Sequence, residues 1–106
     1  MFARKLSLQL KPNSETLFTE KMKSGVLPLL RRQSGFKDEM TLVSQDGTRA
    51  IQFSLWDRRE SAETYVRDTH PQVERLLAPM VEGSPKFGSY NVVHSTFHEV
   101  AATVPA

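Results

Sequence analysis

A chain of 106 residues with 39% hydrophobic and 25% charged content is long enough for one hydrophobic core and too short for two independent ones, so residues 1–106 read as a single domain. Fourteen Lys and Arg stand against twelve Asp and Glu, a net charge of +2, and the basic pairs Arg31-Arg32 and Arg58-Arg59 sit among polar and acidic neighbours, which argues against the basic stripe of a nucleic-acid binder. With no cysteine, disulfides, thiolate metal sites and cysteine nucleophiles are excluded; no apolar run approaches the ~18 residues of a membrane helix, and the start "MFARKLSLQL" alternates where a signal peptide would be apolar, so a cytoplasmic protein is expected.

Residues 4–10 alternate, with Leu6, Leu8 and Leu10 on one face and Lys5, Ser7 and Gln9 on the other, the period of a half-buried strand. Residues 12–33 predict a helix: Asn13 or Ser14 can cap it, Glu15 favours its first turn, Phe18, Met22, Val26 and Leu29 form its stripe, and Arg31 and Arg32 suit its C-terminal dipole. Gly25 and Pro28 are expected to weaken its last turns, because Pro28 lacks an N–H and crowds the carbonyl four residues back. Gly35 can supply the positive φ that ends it. Residues 36–45 and 48–57 then flank Asp46-Gly47, a strong hairpin signal. In the second of these strands Ile51, Phe53 and Leu55 share one face, and Ala50, Gln52, Ser54 and Trp56 the other.

From Ser61 to Met80 the apolar positions follow helical spacing, interrupted by His70-Pro71. Pro71 cannot donate a backbone hydrogen bond and disfavours helical angles at the residue before it, so two segments meeting at His70 are expected, with Pro71 opening the second. On an ideal helix His70 lies about 75° from the centre of the apolar stripe, at the border between helix and sheet, where it can face either a crevice or water. "EGSP" at 82–85 reads as a turn and 86–100 as a long last strand. The order strand, helix, strand, strand, helix, strand predicts an α+β, ferredoxin-like βαββαβ fold: a four-stranded antiparallel sheet with two helices on one face.

The other sheet face then needs a cover. Alternation is expected to put Thr41, Val43, Gln52, Ser54 and Trp56 there, with either Tyr90, Val92, His94, Thr96 and His98 or Asn91, Val93, Ser95 and Phe97 from the last strand. A homodimer stacking two such faces into a closed barrel would bury them.

Three stretches carry a resemblance: "LPLLRRQSGF" at the end of the first helix, the "QDG" hairpin, and "FSLWDRRESAETYVRDTH", where a strand ends in Trp and a helix follows at once. Together they resemble the antibiotic biosynthesis monooxygenase-like domains of the dimeric α+β barrel superfamily, over essentially the whole chain. The resemblance implies a cofactor-independent oxygenase that holds a planar aromatic or quinol molecule between sheet and helices while its anion reacts with oxygen. The haem-degrading branch of that family uses an Asn on the first strand and a Trp and a His on the second helix. Here residues 1–10 contain no Asn, Tyr65 stands where that Trp falls and Arg75 near where that His falls, so no haem and no other cofactor is expected.

His70 is the candidate general base, since an unperturbed imidazole titrates near ~6.5, and Tyr65 is the candidate to orient a substrate through its hydroxyl. Trp56 is a third candidate for substrate contact. Each has a packing explanation as well: a border histidine at a helix break, a tyrosine on an apolar stripe, an indole filling a strand end. His94 and His98 are separated by ~13 Å of strand, too far for one ion with bonds of ~2 Å, so no metal is expected. Glu60 and Glu63 fit a helix dipole better than a carboxylate pair. The alternative to an enzyme is a non-catalytic dimeric module of the same fold that binds a small ligand or assists assembly; a cleft filled by Phe18, Met22, Ile51, Phe53 and Leu76 would favour it.

Overall fold

In the computed structural model, which describes residues 1–96, four antiparallel strands form one sheet in the order β2-β3-β1-β4. The strands are β1 (Phe2–Leu10), β2 (Phe36–Val43), β3 (Arg49–Trp56) and β4 (Val81–Asn91). Helical segments α1 (Glu15–Lys21), α2 (Leu27–Arg31), α3 (Arg59–Asp68) and α4 (His70–Leu77) cover one face, completing a ferredoxin-like α+β fold. None of these helices is long and apolar enough to cross a membrane.

The inward residues of β1 are Phe2, Arg4, Leu6, Leu8 and Leu10, all buried. They pair in register with the inward residues of β3: Phe2 opposite Trp56, Arg4 opposite Ser54, Leu6 opposite Gln52, Leu8 opposite Ala50. The helices bring Phe18, Met22, Val26, Leu30, Ala62, Tyr65, Val73 and Leu77 onto this layer. The expected orientation of the hairpin is therefore inverted. Gln52, Ser54 and Trp56 lie under the helices, with Thr41 and Val43 on the same side, whereas Ile51, Phe53 and Leu55 point to the uncovered face. The reason is pairing: Trp56 must share a face with Phe2, and the period-2 alternation carries that choice along all of β3. The uncovered face is consequently more apolar than expected. It also carries Met40 and Leu42 from β2 and Tyr90 from β4, each 38–50% exposed.

Three local expectations are modified. The first helix does not fray at Gly25 and Pro28. A π-helical turn, Met22–Val26, intervenes, and the N–H of Leu27 reaches back five residues to the carbonyl of Met22, so α2 restarts with Pro28 in its first turn, where no N–H is needed. The break in the second helical stretch falls at Thr69, whose φ of −121° and ψ of −36° leave the helix, while His70 is already the first residue of α4. The Thr69 carbonyl accepts from the N–H groups of Gln72 and Val73, which starts α4 without calling on Pro71. Residues 82–85 do not turn the chain out of the sheet. They form a bulge within β4, opposite the step from Ser7 to Gln9, with Gly83 at φ +67°, and β4 ends at Asn91, well short of residue 100.

Gly35 takes the left-handed conformation expected of it, φ +83°, after α2. A Cβ there would lie 2.3 Å from Asp57 Oδ1 and 2.4 Å from Ser61 Oγ, whereas one on Gly83 would meet nothing within 4 Å. Gly35→Ala should therefore lower the free energy of unfolding by roughly 2–4 kcal/mol, and Gly83→Ala by about 1 kcal/mol, the cost of φ strain alone, in urea titrations. Equal losses would contradict the close approach at Gly35.

Candidate functional site: the cleft beside His70

A row of rings crosses the covered face of the sheet. Phe36 from β2 meets Trp56 at 5.6 Å, Trp56 meets Tyr65 at 5.2 Å, Tyr65 meets His70 at 5.7 Å and His70 meets Phe87 of β4 at 5.5 Å. The row is built by two elements of different period: Trp56 ends β3, Tyr65 lies on the buried stripe of α3, and the break at Thr69 rotates His70 inward, so its ring is only 3% exposed rather than at the water boundary. Gln33 Nε2 donates to Thr69 Oγ1 at 3.2 Å, tying the break to the end of the first helical layer.

Polar atoms beneath the helices are mostly paired. The Trp56 indole N–H donates to Ser54 Oγ at 2.9 Å, Gln52 Nε2 donates to Glu39 at 3.3 Å, and the Tyr65 hydroxyl lies 3.3 Å from His70 Nδ1. Burial pushes the Tyr65 hydroxyl up to about 12, so it stays protonated and can donate to an unprotonated Nδ1. Burial, with the nearby Arg4 charge, pulls His70 down to about 4. The titration expected near neutrality for His70 is thus displaced downward, because burial disfavours the imidazolium and the Arg4 charge opposes it. His70 Nε2 lies 3.2 Å from Glu74 Oε1 but without hydrogen-bond geometry, which leaves it, among the described residues, a buried side-chain nitrogen with no hydrogen bond.

His70, Pro71 and Glu74 separate two clefts. One, of about 430 Å³, runs under α4 toward Leu6, Leu8 and Val81. The other, of about 690 Å³, opens between α3 and β4 and is walled by Phe2, Arg4, Val66, His70 and Phe87. Trp56 and Tyr65, both fully buried, line neither; they stand behind His70. Phe18 and Met22 fill the core elsewhere, and Ile51 and Phe53 are on the far side of the sheet, so the residues expected to close such a cleft do not close it. Arg4 and Phe87 were missed from the sequence. Arg4 had a signal: it falls on the Leu6, Leu8, Leu10 face of a strand and is the one charged member of that face. Phe87 had none, because its place depends on the bulge in β4.

Among the described residues no group of three His, Asp or Glu could hold a metal ion. His94 is exposed beyond the end of β4, and His98 lies outside the described residues.

No family model matches the chain, and no curated protein does. Solved structures match over nearly its whole length. The monooxygenase of the ActVA-Orf6 gene of Streptomyces coelicolor, solved with nanaomycin D, is 19% identical, with a TM-score of 0.73 over 89% of this chain and 88% of that one. SnoaB, a cofactor-independent oxygenase from Streptomyces nogalater, is 10% identical, with a TM-score of 0.72 over 90% of this chain and 95% of that one. A further antibiotic biosynthesis monooxygenase is 12% identical, with a TM-score of 0.72 over 89% of this chain and all of that one. At these identities the likeness is one of architecture: the chain has the fold of the antibiotic biosynthesis monooxygenases.

Proposed function

We propose that the protein is a cofactor-independent oxygenase that takes a planar aromatic or quinol molecule in the cleft between α3 and β4. The observation that carries this reading is that His70, a buried residue on the wall of a cleft that also has aromatic walls, keeps an Nε2 with no hydrogen bond beside Glu74. A ligand hydroxyl reaching that nitrogen would supply the hydrogen bond it lacks. The two oxygenases of the same architecture add to it. The cysteine-free chain fits a cytoplasmic enzyme.

In this reading His70 touches the substrate, and Tyr65 is a positioning residue that holds the ring through Nδ1. With Tyr65 donating, Nε2 carries the proton and donates to a ligand oxygen; with the tautomer reversed, Nε2 accepts from a ligand hydroxyl. A base held at about 4 lies ~6 pH units below an ordinary phenol, or ~8 kcal/mol for outright proton transfer. The site therefore suits hydroxyls acidified by conjugation to a carbonyl. The anion of such a molecule transfers electrons from its ring to dioxygen; when a ring CH2 becomes a carbonyl, one oxygen atom enters the ring and the other leaves as water with the two hydrogens, so no external reductant is consumed. Trp56, packed between Phe36 and Tyr65, supports the row from behind.

The homodimer belongs to the same proposal. Met40, Leu42 and Tyr90, with Ile51, Phe53 and Leu55, give the uncovered sheet face an apolar surface that a two-fold copy would match. Because Val43 packs toward the core, a charge there would test folding and not assembly; Leu42 is the informative position. Leu42→Glu should give a monomer in light scattering at micromolar concentration where the unmodified protein gives a dimer. A monomeric unmodified protein would refute the assembly.

The catalytic reading is tested by His70→Gln, which keeps hydrogen bonding and removes titration. Oxygen consumption with a planar aromatic phenol that bears a carbonyl-conjugated hydroxyl and a ring CH2 should fall roughly 10- to 100-fold. The same variant has a stability signature. With His70 at about 4 when folded and near ~6.5 when unfolded, its contribution is complete above pH ~6.5 and is lost as pH falls from there toward 4, on the order of 3 kcal/mol. His70→Gln should flatten that part of the stability profile. Binding of the phenol with no oxygen uptake by the unmodified protein would favour a ligand-binding module instead.

A further inference from the structure

We propose that Arg4 makes the cleft beside His70 selective for aromatic ligands that carry an ionised oxygen. The inference rests on the reading above that the cleft takes a planar aromatic molecule, and adds the charge state of that molecule.

Arg4 is the one charged residue of the inward face of β1, and it is 6% exposed. Its guanidinium lies 4.6 Å from the centre of the Phe87 ring and 5.8 Å from that of Tyr65. No carboxylate of the described residues lies within salt-bridge distance of it and it makes no side-chain hydrogen bond there; the Glu74 carboxylate acts on it from farther away. A largely buried cation whose nearest carboxylate acts only from a distance is incompletely compensated, and the two aromatic faces offset only part of that cost. The imbalance faces the cleft, since Arg4 forms part of its wall together with His70. Both groups border the same ring: Phe87 touches the guanidinium on one side and the imidazole at 5.5 Å on the other. A flat ligand lying along Phe87 would thus bring one edge to the N–H groups of Arg4 and to Nε2 of His70 together.

The remaining charges of the cleft do not remove the preference. Glu63 and Glu74 stand on its wall, but both are exposed, and Glu74 lies against His70. Arg59 and Arg67 oppose them; Arg67 is held by Asp68 and Arg59 lies over Phe2. Solvent screens these four, whereas Arg4 acts from the buried end. A guanidinium also suits the task better than an ammonium, because its planar fork can stack on Phe87 and still direct two parallel N–H bonds to a carboxylate, or one to a phenolate or enolate. An arginine present only to cover apolar surface with its stem would not distinguish a charged ligand from its neutral analogue.

Calorimetry with 1,4-naphthoquinone and 2-hydroxy-1,4-naphthoquinone, the same ring system without and with a hydroxyl that is ionised at pH 7, separates the two cases. The unmodified protein should bind the hydroxyquinone anion at least ~10-fold more tightly than the neutral quinone. Arg4→Gln should reduce that preference to about twofold or less, Arg4→Lys should retain part of it, and Arg59→Gln should keep it. Equal binding of both probes by the unmodified protein, or a preference that survives Arg4→Gln, overturns the role of Arg4 and leaves the aromatic cleft standing. Failure of both probes to bind overturns the aromatic-ligand reading itself, and this inference with it. If Arg4→Gln does not fold, Arg4→Lys carries the test: a preference lower than that of the unmodified protein supports the role of Arg4, and an unchanged one overturns it.

Discussion

Polar groups under the helices have to be satisfied without water, and the solution found on the covered face of this sheet is a row in which each ring or amide relies on its neighbour. Ser54 receives the Trp56 N–H, Trp56 backs Tyr65, and the Tyr65 hydroxyl meets His70 Nδ1. The row stops at His70, whose second nitrogen has no hydrogen bond, and beside it stands Arg4 with no carboxylate of the described residues within salt-bridge distance. A fold that needed these residues only for stability would do as well with apolar side chains of similar volume. Paired polar contacts that lead to one unpaired nitrogen and a weakly compensated arginine at the same cleft are what the proposed binding site rests on.

The backbone is adjusted to the same end. The break at Thr69 turns His70 into the protein, Pro71 occupies a first-turn position where its missing N–H costs nothing, and Gln33 fixes Thr69 from the opposite helical layer. On the other side of the cleft, the bulge opposite Ser7 and Gln9 sets the register that puts Phe87 opposite Leu6 and Ser89 opposite Arg4. Two local irregularities, one in a helix and one in an edge strand, therefore define the distance between the walls.

Much of the architecture was readable from pattern. Alternation in β1, the stripe of the first helix, Asp46-Gly47 and the left-handed Gly35 each follow from short-range chemistry, and the order of elements gives the topology. Which face of β3 is inward was not readable, because Ile51, Phe53 and Leu55 are more apolar than Gln52, Ser54 and Trp56; the choice comes from pairing with β1, which no local pattern encodes. His70 was legible as an anomaly at a helix break, but its burial came from the rotation at Thr69. Its downward shift comes first from that burial and then from Arg4 on β1, distant in sequence. Arg4 could have been found by extending the β1 alternation two residues back from Leu6.

In the proposed site His70 is a neutral, buried imidazole whose Nδ1 is held by Tyr65 and whose Nε2 keeps no hydrogen bond at the wall of the cleft. Nitrogen-15 NMR of the histidine rings, followed through pH with His70→Gln for assignment, tests it most directly. The account predicts that the His70 ring stays in one neutral tautomer from pH 8 down to the approach of its titration at about 4, and that Tyr65→Phe alters that tautomer preference. A His70 ring that titrates near ~6.5 with both nitrogens equivalent to those of an exposed histidine would contradict it.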